Sequence, residues 1–297
     1  MIKELRADVV IIGGGTGGCA AALAAAKSGK TVIMTEETTW IGGQFTSQAV
    51  PPDEHTWIEQ FGATASYRAL RNGIRDYYRR YYPLTERSRA WVELNPGAGW
   101  VSRLCHEPRV SLAVIEAMLA PYRGSGRLTV LQPYRPVAAD TDGDRVLGVT
   151  VRHRDGDEEI AITAPYILDA TETGELLPLT GTEYVTGFES RKETGEPSAP
   201  EEAQPLNMQA ISVCFAIDHV DGDHTIDKPA SYDFWREYKP GFWGDRLLSW
   251  RSPNPRTLEI VERSFTPNPD DDPLSVNADQ RVNPGDGNLW TFRRIAA

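Results

Sequence analysis

The sequence predicts an α/β fold in which helices cover a parallel β-sheet. Residues 7–36 carry the first sign, because a short apolar run, a glycine-rich turn, an alanine-rich stretch and a second apolar run follow one another. Residues 167–170 form a further short apolar run, which we expect in the same sheet. The chain has 297 residues, 40% of them hydrophobic and 25% charged, which excludes wholesale disorder and allows a sizeable core.

The elements of the first unit can be assigned in order. Val9–Ile12 is apolar and β-branched, as in a strand buried on both faces. Residues 19–27 are rich in alanine, which favours a helix, and Gly29 suits its end. Residues 31–34 form the second strand. The chain therefore predicts a compact β-α-β unit that ends at Glu36.

The turn inside this unit matches a dinucleotide-binding fingerprint. Gly13, Gly15 and Gly18 satisfy G-x-G-x-x-G directly after a strand and at the start of a helix. The first glycine permits the tight turn, the second allows a pyrophosphate to approach, and the third allows close packing. Glu36, which ends the second strand, can accept hydrogen bonds from the adenosine ribose and would repel a 2′-phosphate. The candidate contacts in this turn are Gly13, Gly14, Gly15, Thr16, Gly17 and Gly18.

Two further helices are predicted downstream. In residues 57–82, Leu70 and Ile74 belong to an apolar face, and four arginines, Arg71 and Arg75 among them, form a neighbouring basic face. The expected role of that basic face is contact with solvent; the alternative is a surface for an anionic substrate or an acidic partner segment. A second helix is predicted from Pro108 to Pro121.

A three-strand β insertion is predicted near residues 134–163. Asp142-Gly143 and Asp155-Gly156 separate three strand-like runs at residues 136–140, 145–151 and 159–163. Residues 189–205 are polar and contain proline, which predicts a loop.

Composition excludes several functions. The net charge of −11 is unfavourable for general nucleic-acid binding. Three widely spaced cysteines argue against a disulfide scaffold, and the acidic clusters lack a complete ligand set, so no metal is expected. The uncharged residues 9–26 imitate a targeting signal, but glycines interrupt them. We therefore expect a cytoplasmic protein without a membrane association.

Residues 8–44 resemble the start of FAD-dependent oxidoreductases of the glutathione-reductase-like superfamily. Ile41-Gly42-Gly43-Gln44 resembles their second glycine pair, which lies near the phosphate and the ring end of the flavin. Residues 167–176 resemble their Asp-Ala-Thr-Gly motif, and residues 94–108 resemble a bacterial branch of the superfamily. The resemblance covers essentially the whole chain and implies FAD as the cofactor. It adds Gly42, Gly43, Gln44, Ala170 and Thr171 to the cofactor contacts.

Two departures from the family pattern have consequences. Glu172 stands where the family has glycine, which affects close approach of the flavin. Members of the family also run considerably further, so the chain is expected to be an N-terminal portion. A truncated, non-catalytic chain that binds only the adenosine half of FAD therefore stays open as an alternative.

The predicted function is hydride transfer between a small-molecule substrate and FAD, with flavin monooxygenation as another alternative. His106 is the candidate acid or base and Arg103 the candidate anchor for an anionic group. A local capping role is the structural alternative for His106. A homo-oligomer is possible.

The domain boundaries follow from these assignments. Residues 1–45 and 105–185 are predicted to form a discontinuous, Rossmann-type FAD-binding domain. Residues 46–104 are predicted to be a helical cap, and residues 186–297 an incomplete, loop-rich portion of the substrate region.

Overall fold

A computed structural model of the chain describes residues 3–99, 101–209, 211–241, 243–254 and 257–265. The chain divides into two compact units. Unit 1 consists of residues 1–50 and 108–215, and unit 2 of residues 51–107 and 216–297. Residues 266–297 of the predicted substrate region, and Trp100 within the family-like block, lie outside the described residues.

The bounds of the elements are as follows. The strands are β1 (Lys3–Arg6), β2 (Val9–Ile12), β3 (Val32–Thr35), β4 (Leu128–Leu131), β5 (Tyr134–Asp142), β6 (Arg145–His153), β7 (Glu159–Thr163), β8 (Tyr166–Asp169), β9 (Arg251–Pro253) and β10 (Ile260–Glu262). The helices are α1 (Thr16–Lys27), α2 (Ala65–Tyr81), α3 (Glu86–Ala90), α4 (Pro108–Gly124), α5 (Leu176–Thr180), α6 (Arg191–Thr194) and α7 (Tyr232–Glu237).

Unit 1 contains the predicted parallel sheet, with the strand order β4-β3-β2-β8. Val10 is paired with Ile33 on one side and with Ile167 on the other, and Val10 is fully buried. Helices α1 and α4 contact each other and the strands of this sheet. Helix α1 buries Cys19, Ala22 and other residues at helical spacing, so small side chains permit close packing. The Rossmann-type prediction is confirmed.

A second sheet in unit 1 has the order β1-β7-β6-β5. Strands β5, β6 and β7 pair antiparallel, as the Asp-Gly turns predicted. Strand β1 pairs parallel to β7 and was not predicted, because only Leu5 of its four residues is apolar. Its pairing depends on a strand that is remote in the sequence. Val151, Ile160 and Ile162 from this sheet share one apolar core with Val10 and Ile12 of the parallel sheet.

The predicted end of helix α4 is wrong. The helix continues through Pro121 to Gly124. A proline inside a helix removes one N–H donor and crowds the preceding turn. Here it lies in the last turn, and the carbonyl of Pro121 still accepts from Ser125 N at 3.1 Å, so the helix closes in the ordinary way.

The long helix predicted within residues 57–82 is α2 of unit 2, which begins at Ala65. Thr64 caps it by accepting a hydrogen bond from Tyr67 N at 3.2 Å. The predicted solvent contact of the basic face is wrong for Arg71 and Arg75, which are 1% and 3% exposed. Their burial follows from acidic partners in the preceding segment, described below.

The remaining elements are short. Residues 189–205, predicted as a loop, contain the short helix α6, which begins with a capping box of Ser190 and Glu193. In unit 2, strands β9 and β10 form a two-stranded antiparallel sheet. Among the described residues, no helix has the length and apolar character needed to cross a bilayer.

Candidate functional site

A groove lies at the carboxyl ends of β2, β3 and β8 in unit 1. Strand β2 is central here, because the chain leaves it through α1 to β3 on one side and β8 pairs with it on the other. Such a point in a parallel sheet is where ligands bind in open α/β folds. The space of the groove, counted together with the solvent that it opens to, is about 320 Å³. It is lined by Gly13, Gly15, Thr35, Glu36, Glu37, Tyr134, Pro136, Ala170, Thr171, Glu172 and Glu175.

The glycine turn forms the floor of this groove. Gly13 has φ +100°, and a Cβ atom added to it would lie 2.2 Å from the carbonyl oxygen of Ala170. A Cβ atom on Gly18 would lie 2.0 Å from the carbonyl oxygen of Gly13. The first and third glycines are therefore needed for the packing of the turn itself. They bring the first turn of α1, with its unsatisfied N–H groups, to the groove.

Glu36 stands at the end of β3 opposite this turn and is 7% exposed. Its Oε2 accepts a hydrogen bond from Gly14 N at 3.0 Å, and its Oε1 accepts one from Thr38 N at 2.8 Å. A carboxylate offers about four acceptor sites, so about two are left for hydroxyl groups in the groove. The two backbone bonds fix the carboxylate in place.

The second glycine pair packs directly on the turn. Gly42 N donates to Gly14 O at 2.8 Å, and Thr16 Oγ1 donates to Gly42 O at 2.9 Å. Gly43 begins a short 3₁₀ helix, Gly43–Phe45, which includes Gln44. A Cβ atom on Gly43 would lie 2.9 Å from Gly15 Cα. The glycine-rich segment before α1 and the glycine pair after β3 thus meet at the start of α1.

The turn after β8 closes the opposite side of the groove. Ala170 N donates to Ile12 O at 2.7 Å, which ties this turn to β2. Asp169 Oδ1 accepts from both Thr171 N (3.0 Å) and Thr171 Oγ1 (2.7 Å), and Asp169 Oδ2 accepts from Leu176 N at 3.1 Å. The side chain of Asp169 therefore organises the turn that places Ala170 and Thr171 at the groove.

Several groove residues were missed at the sequence level. Glu37 follows Glu36 directly, and Glu175 belongs to the family-like motif, so both carried a signal. Burial, together with the negative charges of Glu37 and Asp169, raises the pKa of Glu175. Tyr134 and Pro136 enter from β5, and their sequence gives no sign of this position.

The groove fits the adenosine-diphosphate part of FAD in two respects. Glu36 presents its free acceptor sites beside the glycine turn, as a ribose requires. The first turn of α1 offers N–H groups and the positive end of a helix dipole to a pyrophosphate. The space above Gly15 contains the carboxylate of Glu172, since a Cβ atom on Gly15 would lie 2.8 Å from Glu172 Oε1.

The two predicted catalytic residues lie in unit 2. His106 is 3% exposed, and its Nδ1 lies 2.7 Å from Leu104 O, so the ring proton is on Nδ1. Burial, with a smaller contribution from the charge of Arg71, lowers the pKa of His106 to about 4. His106 is therefore neutral at neutral pH. Arg103 is partly buried, and its carbonyl oxygen lies 3.5 Å from Arg75 Nη2, which donates to it.

A buried ion cluster in unit 2, formed by Glu54, Glu59, Arg71 and Arg75, explains the burial of the basic face. Arg71 Nη1 donates to both carboxylate oxygens of Glu54 at 3.2 Å, and Arg71 Nη2 donates to Glu59. Arg75 forms two hydrogen bonds with Glu59, at 3.0 and 2.6 Å. Burial raises the pKa of Glu59, but its bonds to the two arginines outweigh this and lower it. The acidic partner segment is thus supplied by the same chain.

Comparison with known proteins gives a family match. A family model described as FAD dependent oxidoreductase matches residues 8–296. A search of curated protein sequences finds no match to the chain.

Solved structures provide weaker similarities. L-proline dehydrogenase from P. horikoshii is 20% identical with a TM-score of 0.32 over 58% of this chain and 23% of that one. Glycerol-3-phosphate dehydrogenase from Bacillus halodurans, complexed with FAD, is 16% identical with a TM-score of 0.35 over 56% and 34%. A geranylgeranyl bacteriochlorophyll reductase-like protein from Thermoplasma acidophilum is 18% identical with a TM-score of 0.34 over 66% and 43%. In each case the match spans less than half of the length of the solved structure.

Proposed function

Because the chain belongs to the FAD dependent oxidoreductase family, with FAD as the cofactor, we propose that it binds FAD in the unit 1 groove and acts in hydride transfer with a small-molecule substrate. Bound FAD supplies the redox chemistry, and the residues of the chain bind and orient it.

One observation carries the proposal. The carboxylate of Glu36 is held 3.0 Å from Gly14 N, directly beside the glycine turn and the start of α1. A ribose that donates its hydroxyls to Glu36 would place the attached phosphates toward the first turn of α1. The same carboxylate opposes a 2′-phosphate through like charge. This arrangement supports an adenosine diphosphate group without a 2′-phosphate.

The other cofactor residues are proposed to shape the turn and the walls of the groove. Gly13, Gly14, Gly17 and Gly18 shape the turn, and Thr16 joins it to Gly42 through its hydroxyl group. Gly43 lies against Gly15 at the start of α1 and Gln44 follows it, and the family resemblance assigns this segment to the flavin. Ala170 and Thr171 form the facing wall of the groove.

The catalytic assignments stay predictions. A neutral His106 has a proton on Nδ1 that is already donated to Leu104 O, so a proton-accepting role would use Nε2. Arg103 is proposed to hold an anionic group of the substrate. The placement in the glutathione-reductase-like superfamily, the homo-oligomer and the cytoplasmic location also stay predictions.

The test is a spectroscopic binding experiment on the whole chain. Purified protein is mixed with FAD, passed through gel filtration, and its visible spectrum is recorded before and after dithionite. We expect flavin bands that follow the protein and bleach on reduction. A protein that retains no FAD at micromolar concentration contradicts the proposal.

A variant sharpens this test. Replacing Glu36 by Gln should weaken ADP binding about tenfold, because the ribose loses hydrogen bonds to a charged acceptor. The preference of the wild type for ADP over its 2′-phosphorylated form should shrink in Glu36→Gln. The matched control is Glu183→Gln, which makes the same charge change at an exposed residue outside the groove. Equal ADP affinity of wild type and Glu36→Gln would contradict the assigned role of Glu36.

A further inference from the structure

The carboxylate of Glu172 occupies the space that two glycines leave open. Glu172 Oε1 lies 2.8 Å from where a Cβ atom on Gly15 would be, and 2.9 Å from where one on Gly43 would be. Gly15 and Gly43 themselves approach closely, and the carboxylate lies at this junction. Two glycines that belong to separate segments therefore face the same charged group.

This junction is the place proposed above for a pyrophosphate. Gly15 is the N-cap residue of α1, and the N–H groups of the first helical turn follow it. A negative group at this end of a helix interacts favourably with the helix dipole. The carboxylate of Glu172 and a pyrophosphate therefore compete for the same electrostatic position.

The surroundings of Glu172 do not neutralise its charge. Among the described residues, its carboxylate forms no hydrogen bond or ion pair that would hold it at the junction. Three further acidic side chains, Glu36, Glu37 and Glu175, line the same groove, and Arg135 acts on Glu175 as the opposing cation. A pyrophosphate brought into this groove meets a negative field whose nearest source is Glu172.

The side chain of Glu172 can leave the junction at small energetic expense. Glu172 is exposed, so the carboxylate is hydrated on its open side and no buried contact must be broken for it to turn outward. A long exposed side chain exchanges rotamers within nanoseconds. The position over Gly15 is thus a displaceable one.

We propose that Glu172 acts as an internal competitor of the nucleotide: its carboxylate lies in the pyrophosphate position of the free protein and must be displaced when FAD binds. The inference rests on the proposed FAD site. It follows that Glu172 lowers the affinity for FAD and selects against ligands with additional negative charge near the pyrophosphate. Neutralising this one residue should tighten binding.

The experiment is a calorimetric titration of wild type, Glu172→Gln and Glu172→Ala with FAD, with ADP and with adenosine. Glu172→Gln keeps the shape and removes the charge, and Glu172→Ala removes both. We expect Glu172→Gln to bind FAD and ADP about tenfold tighter than wild type in low salt, and Glu172→Ala to bind at least as tightly. The gain should shrink in 0.5 M NaCl, a concentration at which the Debye length is roughly 4 Å.

Adenosine and a control variant separate the charge effect from other causes. Adenosine has no phosphate, so its affinity should be the same in wild type and Glu172→Gln. Glu183→Gln, with the same change in net charge outside the groove, should leave the affinity for FAD near the wild-type value.

Three results would overturn the inference while FAD binding itself stands. They are equal or weaker FAD binding by Glu172→Gln, an equal gain for adenosine, and FAD binding that requires Mg²⁺ in wild type but not in Glu172→Gln. The last result would mean that Glu172 holds a cation against the pyrophosphate. If wild type and all variants fail to bind FAD and ADP alike, the proposed function falls as well, which separates the two failures.

Discussion

The groove of unit 1 and the buried ion cluster of unit 2 hold their carboxylates in place with different kinds of donor groups. Both hold carboxylates away from solvent in a defined position. In the groove, Glu36 is held by backbone N–H groups of Gly14 and Thr38. In the cluster, Glu59 is held by the side chains of Arg71 and Arg75. The first arrangement depends on backbone geometry, and the second on long side chains from separate segments.

This difference decides what each carboxylate can still do. Backbone donors occupy two acceptor sites of Glu36 and bring no net charge, so its other acceptor sites stay open to a ligand. In the cluster, Arg71 and Arg75 place positive charge beside Glu54 and Glu59 and occupy most of the acceptor sites of Glu59, while Glu54 also accepts from the Tyr67 hydroxyl. The carboxylate in the groove therefore keeps acceptor sites for the proposed ligand, and the cluster joins helix α2 to the segment before it.

The largest effect is expected from a substitution that disturbs the backbone geometry of the groove. Gly13→Ala should lower the free energy of unfolding by about 4 kcal/mol, because φ +100° is strained for alanine and its Cβ would meet Ala170 O at 2.2 Å. The measurement is urea denaturation of both proteins. Gly17→Ala is the matched control, since its Cβ meets nothing within 4 Å and helical alanine is favoured by about 1 kcal/mol. Equal stability of Gly13→Ala and Gly17→Ala would contradict the strained geometry at Gly13.

The second largest effect is expected from a substitution that disrupts the ion cluster. Glu59→Gln should destabilise the protein by about 3 kcal/mol, because Arg71 and Arg75 both lose the charge of the carboxylate that they share in a buried environment. Guanidinium chloride is unsuitable because its salt screens charge, so urea is used. The control Asp76→Asn breaks the exposed pair with Arg79 and should change stability by less than about 0.5 kcal/mol. A loss below about 1 kcal/mol for Glu59→Gln would show that the cluster is replaceable.

The smallest expected effect is a pH dependence of the stability, which comes from the buried His106 of unit 2. Burial lowers the pKa of His106 to about 4 from its usual 6.5, so the unfolded chain binds a proton that the folded chain excludes. The contribution of this pKa difference to the free energy of unfolding is fully present above pH 6.5 and is lost as the pH falls toward 4. We expect a loss of about 2 kcal/mol between pH 7 and pH 5. In His106→Gln this part of the slope should disappear from urea denaturation curves, and identical slopes would contradict the burial of a neutral ring.

The strands and turns of unit 1 show how far local pattern reaches. The β-α-β unit, the hairpins of β5, β6 and β7, and the strand β8 follow from runs of apolar residues and from glycine positions that are contiguous in the chain. Strand β1 was missed because three of its four residues are polar and its pairing partner, β7, is remote in the sequence. The end of α4 was misplaced because one proline in a last turn does not stop a helix that packs against its neighbours.

In the candidate site, too, some features were predicted from contiguous sequence and others were not. Gly13, Gly15, Gly18 and Glu36 were assigned from their spacing and from the strand and helix around them, because the local backbone fixes their positions relative to one another. The burial of Arg71 and Arg75 was not predicted, because a basic helical face has the same sequence pattern whether solvent or carboxylates cover it. The neutral state of His106 was likewise hidden, since burial is a property of the surroundings.

The sequence by itself determined the Rossmann-type unit, the glycine turn and the acidic residue that faces it, because each is encoded in a contiguous stretch with a fixed period. The tertiary structure decided which charges are buried together and what fills the space over Gly15. Glu172 reaches that space from a turn that is remote from Gly15 in the sequence. Electrostatic interactions depend on distance in space and on exposure to solvent, and neither quantity is written in the order of the residues.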